Sequence, residues 1–218
     1  MTTLTSVSTT KAGGDVLVRS ALHEIMVARP TPVALDDVLQ ATTFAIGERC
    51  FPEKTALIGD AAIISAAAQK ALGVALPILP NTVSQSGGVK ILWLAPNEWL
   101  VVTPMSDGGR TRGRLQKALT GIHALVVDVS DRWVALELRG SMVLRALTKG
   151  TSLDVEGGAL IEGRCASTSL AQAQVILHQR SSFPTFDLFV DATFAEPLWQ
   201  WLEQAAEEFG VTYFIPDT

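Results

Sequence analysis

From residue 55 onward, the hydrophobic positions alternate between the spacing typical of strands and the spacing typical of helices. A strand-like run is followed by a helical pattern that ends at Gly73, then by two strand-like runs around a tight turn, a second helical pattern closed by Gly121, and a further strand. These predicted elements are strand 55–58, helix 61–72, strands 89–94 and 98–103, helix 110–119 and strand 123–128. The order predicts a β-α-β-β-α-β unit.

The rest of the chain repeats that order. A strand is followed by Gly140, a helix, a loop rich in glycine and acidic residues, two further strands, a long helix and a short final strand. The predicted bounds are strand 133–139, helix 140–149, loop 150–164, strands 165–178 and 185–190, helix 193–209 and strand 211–214. We therefore predict an α+β fold of two pseudo-repeated split βαβ, ferredoxin-like modules, at about 53–130 and 131–218.

The section before residue 53 has no counterpart in the repeat. Residues 1–14 are rich in Thr, Ser and Gly, which favours disorder, and apolar positions recur at helical spacing over residues 15–28. Residues 35–51 fit either a short helix or an extended segment. We interpret residues 1–52 as an N-terminal arm without a partner elsewhere in the chain, which lies on the domain at 53–218 or on another subunit.

The last helix has the clearest signals. Thr193 and Glu196 fit a capping box, in which the two side chains satisfy free backbone donors of the first turn. The predicted buried face comprises Leu198, Trp201, Leu202 and Ala205, with Gly210 ending the helix.

Composition bounds the class of protein. The 218 residues are 48% hydrophobic and 18% charged, with a net charge of −5, so a sizeable core is expected and some surface is expected to be buried against another chain. The acidic balance argues against a nucleic-acid binder. The sequence shows neither a signal peptide nor a membrane span, and two widely spaced cysteines fit a reducing cytoplasm.

No catalytic, cofactor-binding or metal-binding residue is predicted. The histidines lack a nucleophile elbow, the cysteines lack metal-ligand spacing, and the glycine pairs lack a dinucleotide-binding context. Packing is the favoured role for the two tryptophans beside the first hairpin turn, although ligand stacking stays open. The residues considered were His23, His123, His178, Cys50, Cys165, Gly87, Gly88, Gly157, Gly158, Trp93 and Trp99.

Four cations, Arg110, Arg112, Arg114 and Lys117, lie in the predicted helix 110–119. Cations at a helix N-terminus oppose the helix dipole. The cluster therefore fits either a solvated basic face or contact with an acidic partner or anionic ligand.

Four segments follow one another in a characteristic order: LWLAPNEWLVV (92–102), DVSDRWVALELRG (128–140), VLRALTKGTSLDV (143–155) and GRCASTSLAQAQVIL (163–177). Taken in this order, they resemble the gamma subunit of heterotetrameric sarcosine oxidase, a family related to the glycine-cleavage aminomethyltransferase. The likeness covers roughly residue 56 to the C-terminus. It implies an aminomethyltransferase-like fold and an accessory, non-catalytic subunit of a complex that demethylates sarcosine to glycine, with peroxide and a folate-bound one-carbon unit as products.

The resemblance also implies partners. Alpha, beta and delta subunits would hold FAD, FMN, NAD, zinc and tetrahydrofolate, and this chain would hold none. Aminomethyltransferases place an acidic residue in a hairpin that matches residues 169–174, and these residues include no carboxylate. The alternatives are a stand-alone folate-binding protein of the same fold, or the equivalent subunit of an oxidase or dehydrogenase for another N-methyl amino acid.

Overall fold

The structure is a computed structural model, and it describes residues 20–33, 43–50 and 52–216. Its helices are α1 His23–Val27, α2 Ala61–Leu72, α3 Arg110–Ala118, α4 Val143–Thr148 and α5 Ala195–Ala206. Its strands are β1 Ala45–Arg49, β2 Glu53–Gly59, β3 Val83–Ser86, β4 Val89–Ala95, β5 Glu98–Thr103, β6 Ala124–Asp128, β7 Trp133–Arg139, β8 Cys165–Leu170, β9 Ala173–Ser181, β10 Thr185–Asp191 and β11 Thr212–Tyr213.

The strands form two sheets. The five-stranded sheet has the order β3-β4-β5-β2-β6, and all of its neighbouring strands are antiparallel. The six-stranded sheet has the order β11-β1-β7-β10-β9-β8, in which only the β1–β11 pair is parallel. The five-stranded sheet lies within residues 53–128, whereas the six-stranded sheet combines the strands after residue 131 with β1. The expected mixed α+β class is confirmed.

The sheets pack face to face, with helices on both outer sides. Alternate residues of the six-stranded sheet pack against α4 and α5, and those of the five-stranded sheet pack against α2 and α3. The inner faces meet in a third cluster, where Leu92 and Leu100 of one sheet contact Ile176 and Phe189 of the other. Glu137 and Asp187 on these inner faces are therefore buried.

Two details of the second module differ from the prediction. The predicted strand 165–178 is a hairpin, because the chain turns at Ala171 and Gln172 between β8 and β9. Ala171 adopts a φ of 54° there, a conformation that usually selects glycine or asparagine, so an alanine at this position carries no turn signal. In addition, α4 begins at Val143 rather than at residue 140.

The capping box predicted at Thr193 and Glu196 is wrong. A 3₁₀ turn at Ala192–Phe194 precedes α5, and the carboxylate of Asp191 accepts hydrogen bonds from the backbone N–H and the hydroxyl of Thr193. The helix therefore starts later than predicted. Trp199 is fully buried, whereas Trp201 is only half-buried.

The section before residue 53 has partners in the chain, contrary to the prediction. β1 pairs with β7 on one side and with β11 on the other, so it lies inside the six-stranded sheet. Leu22 is fully buried in the core under α4 and α5, and Ile25 and Met26 pack against the same core. Of the predicted helix 15–28, residues 15–19 lie outside the described part of the chain, and α1 occupies His23–Val27.

None of the helices in the described ranges is both long enough and apolar enough to cross a membrane.

Candidate functional site

Four polar side chains that are far apart in sequence occupy one row across the six-stranded sheet. The strand registers place Cys165 opposite His178, His178 opposite Asp187, and Asp187 opposite Glu137. Directly paired residues point to the same face of a sheet. All four belong to the inner face, since Ile176 and Phe189 of the intersheet core lie two residues from His178 and Asp187 along β9 and β10.

A thiol, an imidazole and a carboxylate in one row are the groups that a cysteine nucleophile would need. The thiol in this row is closed off, however. Cys165 is fully buried, and its Sγ donates to the carbonyl oxygens of Thr82 and Trp93 at 3.5 and 3.3 Å. Burial raises the pKa of Cys165 to about 11. The group therefore stays a protonated thiol and joins the two sheets, because Trp93 belongs to β4 and Thr82 immediately precedes β3.

His178 is also enclosed. Its Nδ1 lies 3.2 Å from Oδ2 of Asp187, and both side chains are almost completely buried. Burial is the main cause that lowers the pKa of His178, against the opposing hydrogen bond with Asp187. A neutral imidazole that orients a buried carboxylate is the role that this geometry supports.

The two carboxylates of the row are surrounded by cations, in what we call the inner cluster: Arg49, Lys90, Glu137, Arg139, His178, Arg180 and Asp187. Glu137 is fully buried and pairs with Arg49 and Arg139, and it also accepts from Arg180 Nη1 at 2.9 Å. A buried carboxylate of this kind is stabilised only when paired in this way.

Asp187 links the two sheets electrostatically. Its Oδ2 accepts from Lys90 of β4, which crosses from the five-stranded sheet. Its Oδ1 lies 3.4 Å from Arg49 Nε and 3.6 Å from Arg180 Nη1. Burial alone would raise the pKa of Asp187, but the hydrogen bond with His178 and the charges of Lys90, Arg180 and Arg49 outweigh it and lower the pKa.

A second polar group fixes the segment around α1. Glu203 of α5 accepts from Arg29 Nε at 2.6 Å, from Trp199 Nε1 at 2.8 Å and from the hydroxyl of Tyr213 at 2.9 Å. Burial and the hydrogen bond to Glu203 raise the pKa of Tyr213 to about 12. The spacing of Trp199 and Glu203 by four residues was the signal for this contact, which the predicted helix face had missed.

The basic cluster at α3 is largely satisfied within the chain. Arg112 pairs with Asp128, and Arg110 donates to the carbonyl oxygens of Ser106 and Asp107. Carboxylates of the chain itself already occupy the N-terminal end of α3. Glu53 accepts from the N–H of Gly109 at 2.8 Å, and Asp107 accepts from the N–H of Thr111 at 2.7 Å. This arrangement favours the solvated basic face over an anion site.

The remaining candidate site residues lie at separate positions and do not form a common site. Trp99 is 1% exposed and donates Nε1 to the carbonyl oxygen of Pro77 at 2.7 Å, and Trp93 packs on the same core, as expected for packing residues. His23 lies on α1, His123 is exposed just before β6, and Cys50 is partly exposed just after β1. No group of three potential metal-ligating side chains occurs within residues 20–33, 43–50 and 52–216.

A surface cavity of about 800 Å³ lies beside the β8–β9 hairpin, where the resemblance directed attention to residues 169–174. Its walls come from the end of α4, the hairpin tip and the first turns of α5, with Trp201 and Phe194 as the aromatic members. The one charged lining residue, Lys149, donates to the carbonyl oxygen of Ala205 and pairs with Glu208. The lining residues include no carboxylate for acid–base chemistry.

Comparison with known proteins decides the family. The model of the sarcosine oxidase gamma subunit family matches residues 58–208. The sarcosine oxidase subunit gamma of Arthrobacter sp. is 32% identical over 192 residues, which cover 87% of this chain and 88% of that protein. The chain belongs to the sarcosine oxidase gamma subunit family. The gamma subunit of Corynebacterium sp. strain U-96 is 30% identical over 88% of this chain and 87% of its own length.

Solved structures agree with this assignment. This gamma-family chain superimposes with a TM-score of 0.76 and 26% identity on a chain of the heterotetrameric sarcosine oxidase from Corynebacterium sp. U-96, in complex with pyrrole 2-carboxylate; the match covers 89% of this chain and 97% of that one. The glycine cleavage system aminomethyltransferase T of Bartonella henselae matches with a TM-score of 0.65 at 14% identity, over 89% of this chain and 58% of that one. The resemblance inferred from the sequence, and the aminomethyltransferase-like fold that it implied, are confirmed.

Proposed function

We propose that this chain is the gamma subunit of a heterotetrameric sarcosine oxidase and that it supports assembly rather than chemistry. Its partners would be the alpha, beta and delta subunits of a cytoplasmic complex that demethylates sarcosine to glycine. FAD, FMN, NAD, zinc and tetrahydrofolate would be bound by those partners.

The observation that carries the proposal is the match to one chain of a heterotetrameric sarcosine oxidase, which covers 89% of this chain and 97% of that one. An accessory role is further supported by the row of polar side chains across the six-stranded sheet. The Cys165 thiol has a pKa of about 11 and the His178 imidazole is buried, so the row of Cys165, His178 and Asp187 lacks a reactive nucleophile.

Co-expression with the neighbouring genes tests the assembly. We expect the chain to copurify in a stoichiometric complex that forms peroxide from sarcosine, and we expect the isolated chain to carry no flavin absorption. A chain that purifies only as a monomer and binds tetrahydrofolate would instead support the stand-alone folate-binding protein. Higher activity with another N-methyl amino acid than with sarcosine would reassign the substrate.

A variant tests the accessory role separately. Cys165→Ala, assembled into the complex, should retain the kcat and KM of the wild type because the thiol only joins the sheets. A fully assembled Cys165→Ala complex with a large loss of kcat would contradict a non-catalytic subunit.

A further inference from the structure

The inner cluster opens to the surface on its cationic side. Glu137 and Asp187 are buried, but Lys90, Arg139 and Arg180 have side chains that are 19%, 14% and 32% exposed. These three cations already outnumber the two carboxylates, before Arg49 is counted. The surface of this cluster is thus basic, although the whole chain carries a net charge of −5.

The guanidinium groups of Arg139 and Arg180, which are partly exposed, have N–H donors that the described residues do not use. Arg139 uses Nε to reach Glu137, and Arg180 uses Nη1 to reach Glu137 and Asp187. Within the described parts of the chain, the other N–H groups of these two arginines have no hydrogen-bond acceptor. A guanidinium fixed through one edge presents its remaining donors in a planar fork, which matches a carboxylate.

Two exposed apolar residues lie on segments that adjoin this basic opening. Phe183 is exposed in the turn between β9 and β10, three residues after Arg180. Ile215 is exposed next to Phe214, whose ring lies beneath the Arg139 guanidinium at 5.9 Å from its centre. An arginine pair with exposed apolar residues beside it resembles a protein–protein contact more than a site for a free ion.

We propose that Arg139 and Arg180 form a docking site for an acidic side chain of a partner subunit, with Phe183 and Ile215 packing around it. The inference rests on the proposed function, because it supplies a specific contact for the assembly. The incoming carboxylate bridges the free edges of the two guanidinium groups and neutralises the excess positive charge around Glu137 and Asp187.

The test compares assembly of variants with the partner subunits at low and high salt. Arg180→Gln should weaken assembly by about tenfold or more and should flatten its dependence on salt, since one charge of the contact is lost. Arg180→Lys keeps the charge without the fork and should recover part of the affinity. Arg145→Gln is the matched control, because it removes the same charge at a residue outside the inner cluster. Arg145 is 70% exposed, and its Nε lies 3.8 Å from Oε1 of Glu156.

Folding is checked on each isolated variant by circular dichroism and urea unfolding. Arg180→Gln should remain folded, since Glu137 keeps its pairs with Arg49 and Arg139. Sodium acetate serves as a competitor at the same ionic strength as a sodium chloride control. Acetate should weaken assembly of the wild type but not of Arg180→Gln.

The outcomes separate the two ideas. A folded Arg180→Gln that assembles like the wild type and the Arg145→Gln control overturns the docking site and leaves the proposed function intact. In a third outcome, acetate shifts the Arg180 Nε–H NMR signal of the isolated chain, but neither acetate nor Arg180→Gln affects assembly. This outcome assigns the site to a free carboxylate and also overturns the proposal. A wild-type chain that fails to assemble refutes the proposed function, and this inference with it.

Discussion

Lys54 provides a quantitative test of how the inner faces are packed. It lies on β2, is 3% exposed, and donates Nζ to the carbonyl oxygen of Trp133 at 2.6 Å. Burial lowers its pKa from 10.5 to about 8, against the opposing charges of Asp131, Glu48 and Asp128. The folded chain therefore releases this proton at a lower pH than the unfolded chain does.

The sign of the effect follows from proton binding. Between about pH 8 and 10.5 the unfolded chain binds more protons at Lys54, so the free energy of unfolding rises with pH in that window. Integration with these two pKa values gives a rise of about 2 kcal/mol in the free energy of unfolding from about pH 7 to about pH 9.5.

The assay is urea unfolding of the wild type and of Lys54→Met at several pH values. Groups such as Tyr213 titrate in both proteins, so the difference between the two profiles isolates Lys54. The difference in the free energy of unfolding between the wild type and Lys54→Met should change by about 2 kcal/mol from about pH 7 to about pH 9.5, as the wild type gains stability relative to the variant. Two profiles that run parallel to within about 0.5 kcal/mol would refute the claim that burial depresses the pKa of this ammonium group.

Three further predictions use other parts of the core. Trp199→Ala should destabilise the chain by about 3–5 kcal/mol in urea unfolding, and Trp201→Ala by clearly less, because only Trp199 is fully buried; equal losses would contradict this. Leu22→Ala should lower the free energy of unfolding by about 2–5 kcal/mol, since it leaves a cavity in the core; a loss below about 0.5 kcal/mol would show that this segment does not pack as described. Iodoacetamide at pH 8 should label Cys50 faster than Cys165, as followed by mass spectrometry, and rapid labelling of Cys165 in the folded chain would contradict its burial.

Local patterns were sufficient for most of the first module, although β3 (Val83–Ser86) was not predicted. Helix α2, with its cap at Asp60 and its end at Gly73, and the hairpin of β4 and β5 follow from residues that are close in sequence. The same kind of signal failed at Ala171, where an alanine takes a left-handed turn conformation. Local propensity carries no information about such a position, because the pairing of β8 with β9 imposes it.

The inner cluster could not be predicted from the sequence. Glu137 and Asp187 are 50 residues apart, and nothing in their spacing indicates that they share a row. Strand register brings them together, and register depends on which residues the whole sheet buries. Each charged residue, taken singly in the sequence, is typical of a solvated strand position.

The position of β1 shows that Ala45–Arg49 belong to the six-stranded sheet and not to a separate arm. In the five-stranded sheet, β6 pairs with β2 through five residue pairs, but in the six-stranded sheet the terminal strand β11 has only two residues. β1 fills the position between β7 and β11, and its Gly47 leaves room for the C-terminal segment, since a Cβ there would lie 2.4 Å from the carbonyl oxygen of Phe214. Arg49 of the same strand pairs with Glu137. Removing residues 1–50 therefore takes away both a central strand and a cation that balances a buried carboxylate, so the second module is expected to lose its fold with them.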